Sequence, residues 1–357
     1  MEKKSKAFLK ELLAQCGPSG FEESVQAVWT RYVEGFVDEV LRDVHGNAMA
    51  VINPEASFKV MLAGHCDEIG FIVSHISEEG MLHFIPIGGI DAGVLPGCQV
   101  KVQTANGWVS GVIGKKAIHL MEANERNKVV PLKDLWIDIG ATSREDALKW
   151  VKVGDPVSYA PNYVDLQNGI FSSKGCDNKM GAFVVAEVQR ILGEQKDLLK
   201  VGVYAVSTVQ EEVGLRGAMT SAFEIEPQAA IAVDVGFASD MPRFDKRSVG
   251  DIALNKGPIL HAGPQINRVL GRMLCQTAEE KGIPYQMSSL GRPGGTDTAA
   301  IQVSRSGVAT ALVSIPNRYM HTMVETCSLS DLENAARLIA ATILKITPQT
   351  SFIPGGK

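Results

Sequence analysis

Along this chain the spacing of apolar residues switches between a helical repeat and short unbroken runs. Phe8, Leu9, Leu12 and Leu13 recur at helical spacing around Lys10 and Glu11, and Gly17-Pro18-Ser19-Gly20 closes that helix. Val25, Val28, Trp29, Tyr32 and Val33 mark a second helix by the same rule. Residues 37–44 and 48–52 read as strands joined at His45-Gly46-Asn47. Residues 59–64 read as a buried strand that stops at His65.

The texture changes over residues 71–164. Short alternating segments at 71–76, 81–85, 99–103, 108–113 and 135–139 are separated by glycine-bearing turns, which predicts a small β-barrel or sandwich. Extra strands on the main sheet are the alternative for this stretch. Beyond it, helical patterns at 179–192, 268–281 and 330–346 alternate with apolar strands at 198–206, 229–233 and 309–315. Such alternation implies an α/β fold, a mostly parallel sheet flanked by helices. The barrel-like stretch is then an insertion: residues 1–70 and 165–357 build one domain, and residues 71–164 build another.

Composition adds exclusions. A chain of 357 residues exceeds one ordinary core, in keeping with two structural units. A net charge of -5 gives no basic footprint for nucleic acid and no polybasic patch for a membrane. The six cysteines lack any C-x-x-C spacing, so neither a disulfide frame nor a structural zinc site is expected. The charged start, Met1-Glu2-Lys3-Lys4-Ser5-Lys6, and the lack of a long apolar run lead to the expectation of a cytoplasmic protein.

The residues that follow each buried strand carry candidate chemistry. Strand 59–64 runs into His65-Cys66-Asp67, strand 198–206 leads to Glu211-Glu212, strand 229–233 meets Asp234, and strand 309–315 leads to His321. In open α/β sheets, ligands collect outside the carboxyl ends of the strands, so these distant residues can share one crevice. Asp177, ahead of helix 179–192, is a fifth candidate. Each has an ordinary alternative: a turn cap for Asp234, a helix cap for Asp177, a core or loop histidine for His65 and His321. Together they supply two imidazoles and three carboxylates (Asp177, Glu212, Asp234), with Glu211 spare.

Nitrogen and oxygen donors without thiolate fit two divalent ions per chain, zinc or cobalt, with manganese also compatible. Neighbouring residues on an extended chain point to opposite sides, so Glu211 and Glu212 are expected to divide their work. Glu211 is the natural proton shuttle. Asp67, two residues after His65, can accept the second ring N–H of that histidine. Cys66 and Cys176 adjoin candidate ligands, and packing is their expected role.

Nine segments, in order along the chain, resemble the tetrahedral aminopeptidase family, which includes glutamyl and deblocking aminopeptidases and some members labelled endoglucanases. They are Gly17-Pro18-Ser19-Gly20, Gly64-His65-Cys66-Asp67-Glu68-Ile69-Gly70, Ile87-Gly88-Gly89, Asp138-Ile139-Gly140-Ala141, Asp177-Asn178-Lys179, Gln210-Glu211-Glu212-Val213-Gly214, Asp234-Val235-Gly236, Gly294-Gly295-Thr296-Asp297 and Arg318-Tyr319-Met320-His321. The resemblance implies a zinc-exopeptidase-like fold. It implies one metal held by His65, Asp177 and Asp234 and another by Asp177, Glu212 and His321, with Asp177 bridging. Glu211 would be the general base, and Asp67 would orient His65. Residues 71–164 would be a dimerisation domain, with dimers building a tetrahedral dodecamer. Cys66 replaces the family's usual methionine or leucine, and Cys176 precedes the bridging aspartate; neither change removes a ligand.

The expected function is a dinuclear metallo-aminopeptidase that trims short peptides with free N-termini by metal-hydroxide attack. A metal-dependent amidase or deacetylase of small acylated molecules is the first alternative. A glycosidase using Glu211 and Glu212 is the second. Its carboxyls would have to flank the bond at ~5–10 Å, and it gives His65, Asp234 and His321 no role. Lys256 and Arg292, in loop-like stretches, are candidates for favouring acidic substrates.

Overall fold

A computed structural model describes residues 1–355 of the chain. Its main element is an eight-stranded sheet ordered Glu39–Arg42, Ala48–Ile52, Gly202–Thr208, Lys59–His65, Ala229–Phe237, Ala309–Asn317, Ile259–Ala262 and Gln286–Ser289. The four strands from Gly202–Thr208 to Ala309–Asn317 run parallel. Antiparallel pairs lie at the Glu39 side and where Ile259–Ala262 meets Ala309–Asn317. The central strands are buried on both faces, which explains their unbroken apolar runs in the sequence.

Leu9, Leu12, Trp29, Phe183, Leu332 and Ile339 bury the helices Lys3–Ala14, Glu23–Val33, Cys176–Gly193 and Leu329–Ile343 on one face. Each such side chain stabilises the fold by roughly 1.5–3 kcal/mol. Trp29 also donates its indole N–H to the carbonyl of Ala182 at 2.8 Å. Ala218, Ala222 and Ile301 pack the helices Arg216–Ile225 and Asp297–Gln302 on the opposite face. Helix Cys176–Gly193 lies very close to strand Lys59–His65. A Cβ on Gly64 would sit 2.3 Å from the carbonyl carbon of Gly181, so the approach needs glycine at that crossing. It brings Asp177 beside the end of the strand that carries His65.

The inserted stretch is a closed barrel of Gly70–Ile76, Leu82–Ile87, Trp136–Asp138, Gly107–Gly114, Gln99–Thr104 and Pro156–Tyr159. Closure displaces the alternative of extra strands on the main sheet. Phe71, Leu82, Val100, Ile137 and Val157 form its separate core. A small sheet of Val164–Asp165, Ile170–Ser173 and Glu325–Ser328 follows the barrel.

A buried ionic network ties the barrel to the main sheet. Glu68 Oε1 accepts from Lys174 Nζ at 2.6 Å, Ser158 Oγ at 2.7 Å and the backbone N–H of Gly17 at 3.0 Å. Its Oε2 accepts from Lys179 Nζ at 2.9 Å. Burial alone would raise the Glu68 pKa, but Lys174 and Lys179 hold it down to about 2.

Several boundaries differ from the sequence reading. The strand expected at 198–206 is Gly202–Thr208, because Lys196–Leu198 forms a 3₁₀ turn first. The helix expected from residue 179 begins at Cys176. Among the described residues no helix is long and apolar enough to cross a membrane.

Candidate metal centre

The parallel strands end side by side. Thr208 pairs with His65, Ala232 with Ala63 and Asp234 with Ser314, so the segments after them rise from one edge. His65, Asp177, Glu211, Glu212, Asp234 and His321 all line a single cavity of about 630 Å³. Asp67, fully buried, stands behind that lining. A larger cavity of about 900 Å³ beyond His261 contains none of these acids, so size does not select the site.

His65 Nε2 lies 3.3 Å from Asp177 Oδ1, 3.7 Å from Glu211 Oε2 and 3.7 Å from Asp234 Oδ1. His321 Nε2 lies 3.2 Å from Asp177 Oδ2 and 3.6 Å from Glu212 Oε1. The two oxygens of Asp177 therefore face different imidazoles. The other ring nitrogens are held as well: His65 Nδ1 is 3.3 Å from Asp67 Oδ1 and 3.2 Å from the Asp67 carbonyl. His321 Nδ1 is 2.9 Å from the carbonyl of Gly89, which the barrel side supplies.

Local backbone explains this convergence. Asp177 sits at the start of its helix with non-helical φ -82° and ψ 108°, and the Asp177–Asn178 peptide is cis. Asn178 bridges outward, donating to the carbonyl of Val233 and accepting from the N–H of Gly181, both at 2.8 Å. Glu211 and Glu212 do not lie on an extended strand, contrary to the sequence reading. The strand stops at Thr208, and Gln210 adopts a left-handed φ of 55°. Both glutamates consequently reach the same cavity, one towards His65 and the other towards His321. Asp67 fixes this turn by accepting from the N–H of Glu211 at 3.1 Å, the N–H of Glu212 at 3.2 Å and Ser19 Oγ at 2.7 Å.

The acids are too many and too buried to be ionised together. Burial, together with Asp234, Asp297 and Glu212, pushes Glu211 up to about 10 against the pull of His65. Burial and Asp177 push Glu212 up to about 8. Asp177 moves the other way: burial opposes it, yet His321 and His65 hold it down to about 2. His321 rises to about 9 through its contact with Asp177. Such a cluster must collect positive charge, from protons or from cations.

Its donors suit divalent cations. Ligand atoms of His65, Glu211 and Asp234 lie within 4.8 Å of one another, as do those of His65, Asp177 and Glu212. Glu212 Oε1 is buried without a hydrogen-bond partner, an acceptor that a cation would satisfy. These groupings differ from the sets that the family resemblance implies: Glu211 stands where the resemblance has Asp177, and His65 where it has His321.

Gly294, Gly295, Thr296 and Arg292 line another wall of the cavity, whereas Lys256 does not reach it. Asp297 is buried behind that wall and accepts from Thr208 Oγ1 at 2.6 Å. Sequence reasoning missed the Gly89 carbonyl, Ser19 and the buried Glu325. None carries a periodic or strand-end signal; the in-order segments Gly17–Gly20 and Ile87–Gly89 were the nearest clue.

Known proteins resemble this chain along nearly its whole length. The sequence profile of the M42 glutamyl aminopeptidase family matches residues 46–338. The lysyl aminopeptidase of Pyrococcus furiosus is 35% identical over 97% of this chain and 98% of its own length. The crystal structure of a TET aminopeptidase from the marine sediment archaeon Thaumarchaeota archaeon SCGC AB-539-E09 superposes with a TM-score of 0.92 at 38% identity, covering 97% of this chain and 98% of that one. The TET1 peptidase of Pyrococcus horikoshii, described as able to assemble into a tetrahedron or a large octahedral shell, gives a TM-score of 0.86 at 34% identity, covering 96% and 100% of the two chains. The chain belongs to the M42 glutamyl aminopeptidase family and is a peptide hydrolase.

Proposed function

We propose that this protein is a dinuclear metal-dependent aminopeptidase that removes N-terminal residues from short peptides. The observation that carries the reading is Asp177, whose two oxygens face His65 and His321 at 3.3 and 3.2 Å, as a bridging carboxylate requires. His65, Asp177 and Asp234 would hold one ion, and Asp177, Glu212 and His321 would hold the other. When bound, zinc or cobalt ions there would polarise the scissile carbonyl and acidify a water molecule.

The protein's own groups handle geometry and protons. Asp67 holds the tautomer and orientation of His65 from behind. Glu211, left free by that ligand set and ionised once cations replace the protons of the cluster, would accept the proton of the attacking water as the C–O bond forms and pass it to the departing amine as the C–N bond then breaks. The cavity of about 630 Å³ suits a residue at a peptide end rather than a folded chain.

The barrel, residues 71–164, serves as the dimerisation domain in this reading, and dimers build a hollow tetrahedral dodecamer. Exposed Trp108, Ile118, Leu120, Val129 and Trp150 support this, since a lone barrel leaves that apolar surface uncovered. Chelation should abolish cleavage of aminoacyl chromogenic substrates, and zinc or cobalt should restore it. Full activity after complete metal removal would refute the reading.

A further inference from the structure

Glu325 joins two parts of the site that lie far apart in sequence. Its side chain is 2% exposed, at the start of strand Glu325–Ser328. Oε2 accepts from the backbone N–H of Asp177 at 2.9 Å, across 148 residues. Oε1 accepts from the backbone N–H of His321 at 2.8 Å. Both N–H groups need an outside partner. Asp177 lies in the first turn of its helix, where no carbonyl precedes it within the helix. His321 sits in a loop with a left-handed φ of 61°. The strand itself is anchored, since Glu325 pairs with Ser173 just ahead of the helix that carries Asp177.

This arrangement repeats the one on the other side of the cavity. There Asp67 accepts from the N–H groups of Glu211 and Glu212. Two buried carboxylates thus clamp four of the site's backbone positions, and each clamp uses both of its oxygens. Metal coordination tolerates distance errors of only ~0.2 Å, so a clamp that sets where two ligands stand also sets metal affinity.

We propose that Glu325 is a positioning residue that fixes the separation of Asp177 and His321 and thereby the affinity of the metal they share. The proposal rests on the dinuclear reading above. Gln in place of Glu325 keeps the shape but presents one NH₂ donor to a backbone N–H. Asp keeps both carboxyl oxygens but falls short by one methylene. Both changes spare His65 and Asp234, so the larger loss falls on the His321 ion.

The test is zinc titration of the metal-stripped full-length protein against a chromogenic chelator, for wild type, Glu325→Gln and Glu325→Asp. Wild type should bind two ions per chain; binding fewer would refute the dinuclear reading and the proposal with it. In Glu325→Gln one site should weaken by ~10–100-fold, and the other far less. Two unchanged sites in a variant beside a normal wild type would overturn the Glu325 proposal alone. Equal weakening of both sites, with a lowered melting temperature of the metal-free variant, would also overturn it, because that marks a merely structural role. Should Glu325→Gln fail to fold, Glu325→Asp carries the same comparison, with the same outcome expected and the same outcomes overturning the proposal.

Discussion

Replacing Glu68 with Gln removes the one anion between the ammonium groups of Lys174 and Lys179, all three fully buried. The native pKa of Glu68 is about 2 against an ordinary 4.5, a depression that corresponds to about 3 kcal/mol of stability. Because the folded pKa is depressed, that stability is present above about pH 4.5 and is lost as the pH falls towards 2. Breaking buried pairs elsewhere costs ~3–5 kcal/mol, which agrees in size. The variant should therefore lose about 3 kcal/mol at neutral pH.

The two lysines give the prediction a second edge. Lys179 is already lowered to about 8, by burial and by Lys174, although Glu68 opposes the shift. Without Glu68, Lys179 would titrate lower still, and Lys174 would lose the attraction that holds its pKa above the ordinary value. A base whose folded pKa lies below its unfolded value of 10.5 costs stability at lower pH, and the cost fades as pH rises between the two values. The deficit of Glu68→Gln should thus shrink as the pH rises from the lowered lysine pKa values of the variant towards those of the wild type, about 8 for Lys179. Urea unfolding of metal-stripped protein, followed by tryptophan fluorescence, measures it free of metal linkage. Equal stability of wild type and variant at neutral pH, or a deficit that stays constant as the pH rises past about 8, would refute the reasoning.

Two further outcomes follow from the proposed ligand set and from the barrel. His321→Ala should lose about one metal per chain, whereas Asp177→Ala should disturb both; full dinuclear occupancy in Asp177→Ala would remove the bridge. Light scattering should find a large particle for the intact protein and a much smaller one when residues 71–164 are replaced by a short linker. A large particle without the barrel would defeat its role in assembly.

Much of the fold was legible because periodicity reports burial. Trp29, Phe183 and Ile339 lie where helical spacing put them, and the central strands are buried on both faces as their apolar runs implied. The strand-end rule pointed to His65, Glu212, Asp234 and His321, which line one cavity together with Asp177, the candidate ahead of a helix. What stayed hidden was short or non-local. Strands of four residues, Ile259–Ala262 and Gln286–Ser289, are too brief to show a period. The left-handed Gln210 turned a strand end into a loop, so the two glutamates diverge through the turn and not through strand alternation. The Glu325 and Gly89 contacts span 148 and 232 residues, and no local pattern encodes them.

The division of labour between the adjacent glutamates is tested most directly by metal content and turnover measured together on Glu211→Gln. The amide keeps the shape of the side chain but cannot take a proton. Two ions per chain should remain, while turnover of an aminoacyl substrate falls by roughly 10²–10⁴-fold. Turnover near the wild-type value, or loss of a metal equal to that in Glu212→Gln, would contradict the assignment of Glu211 as the base.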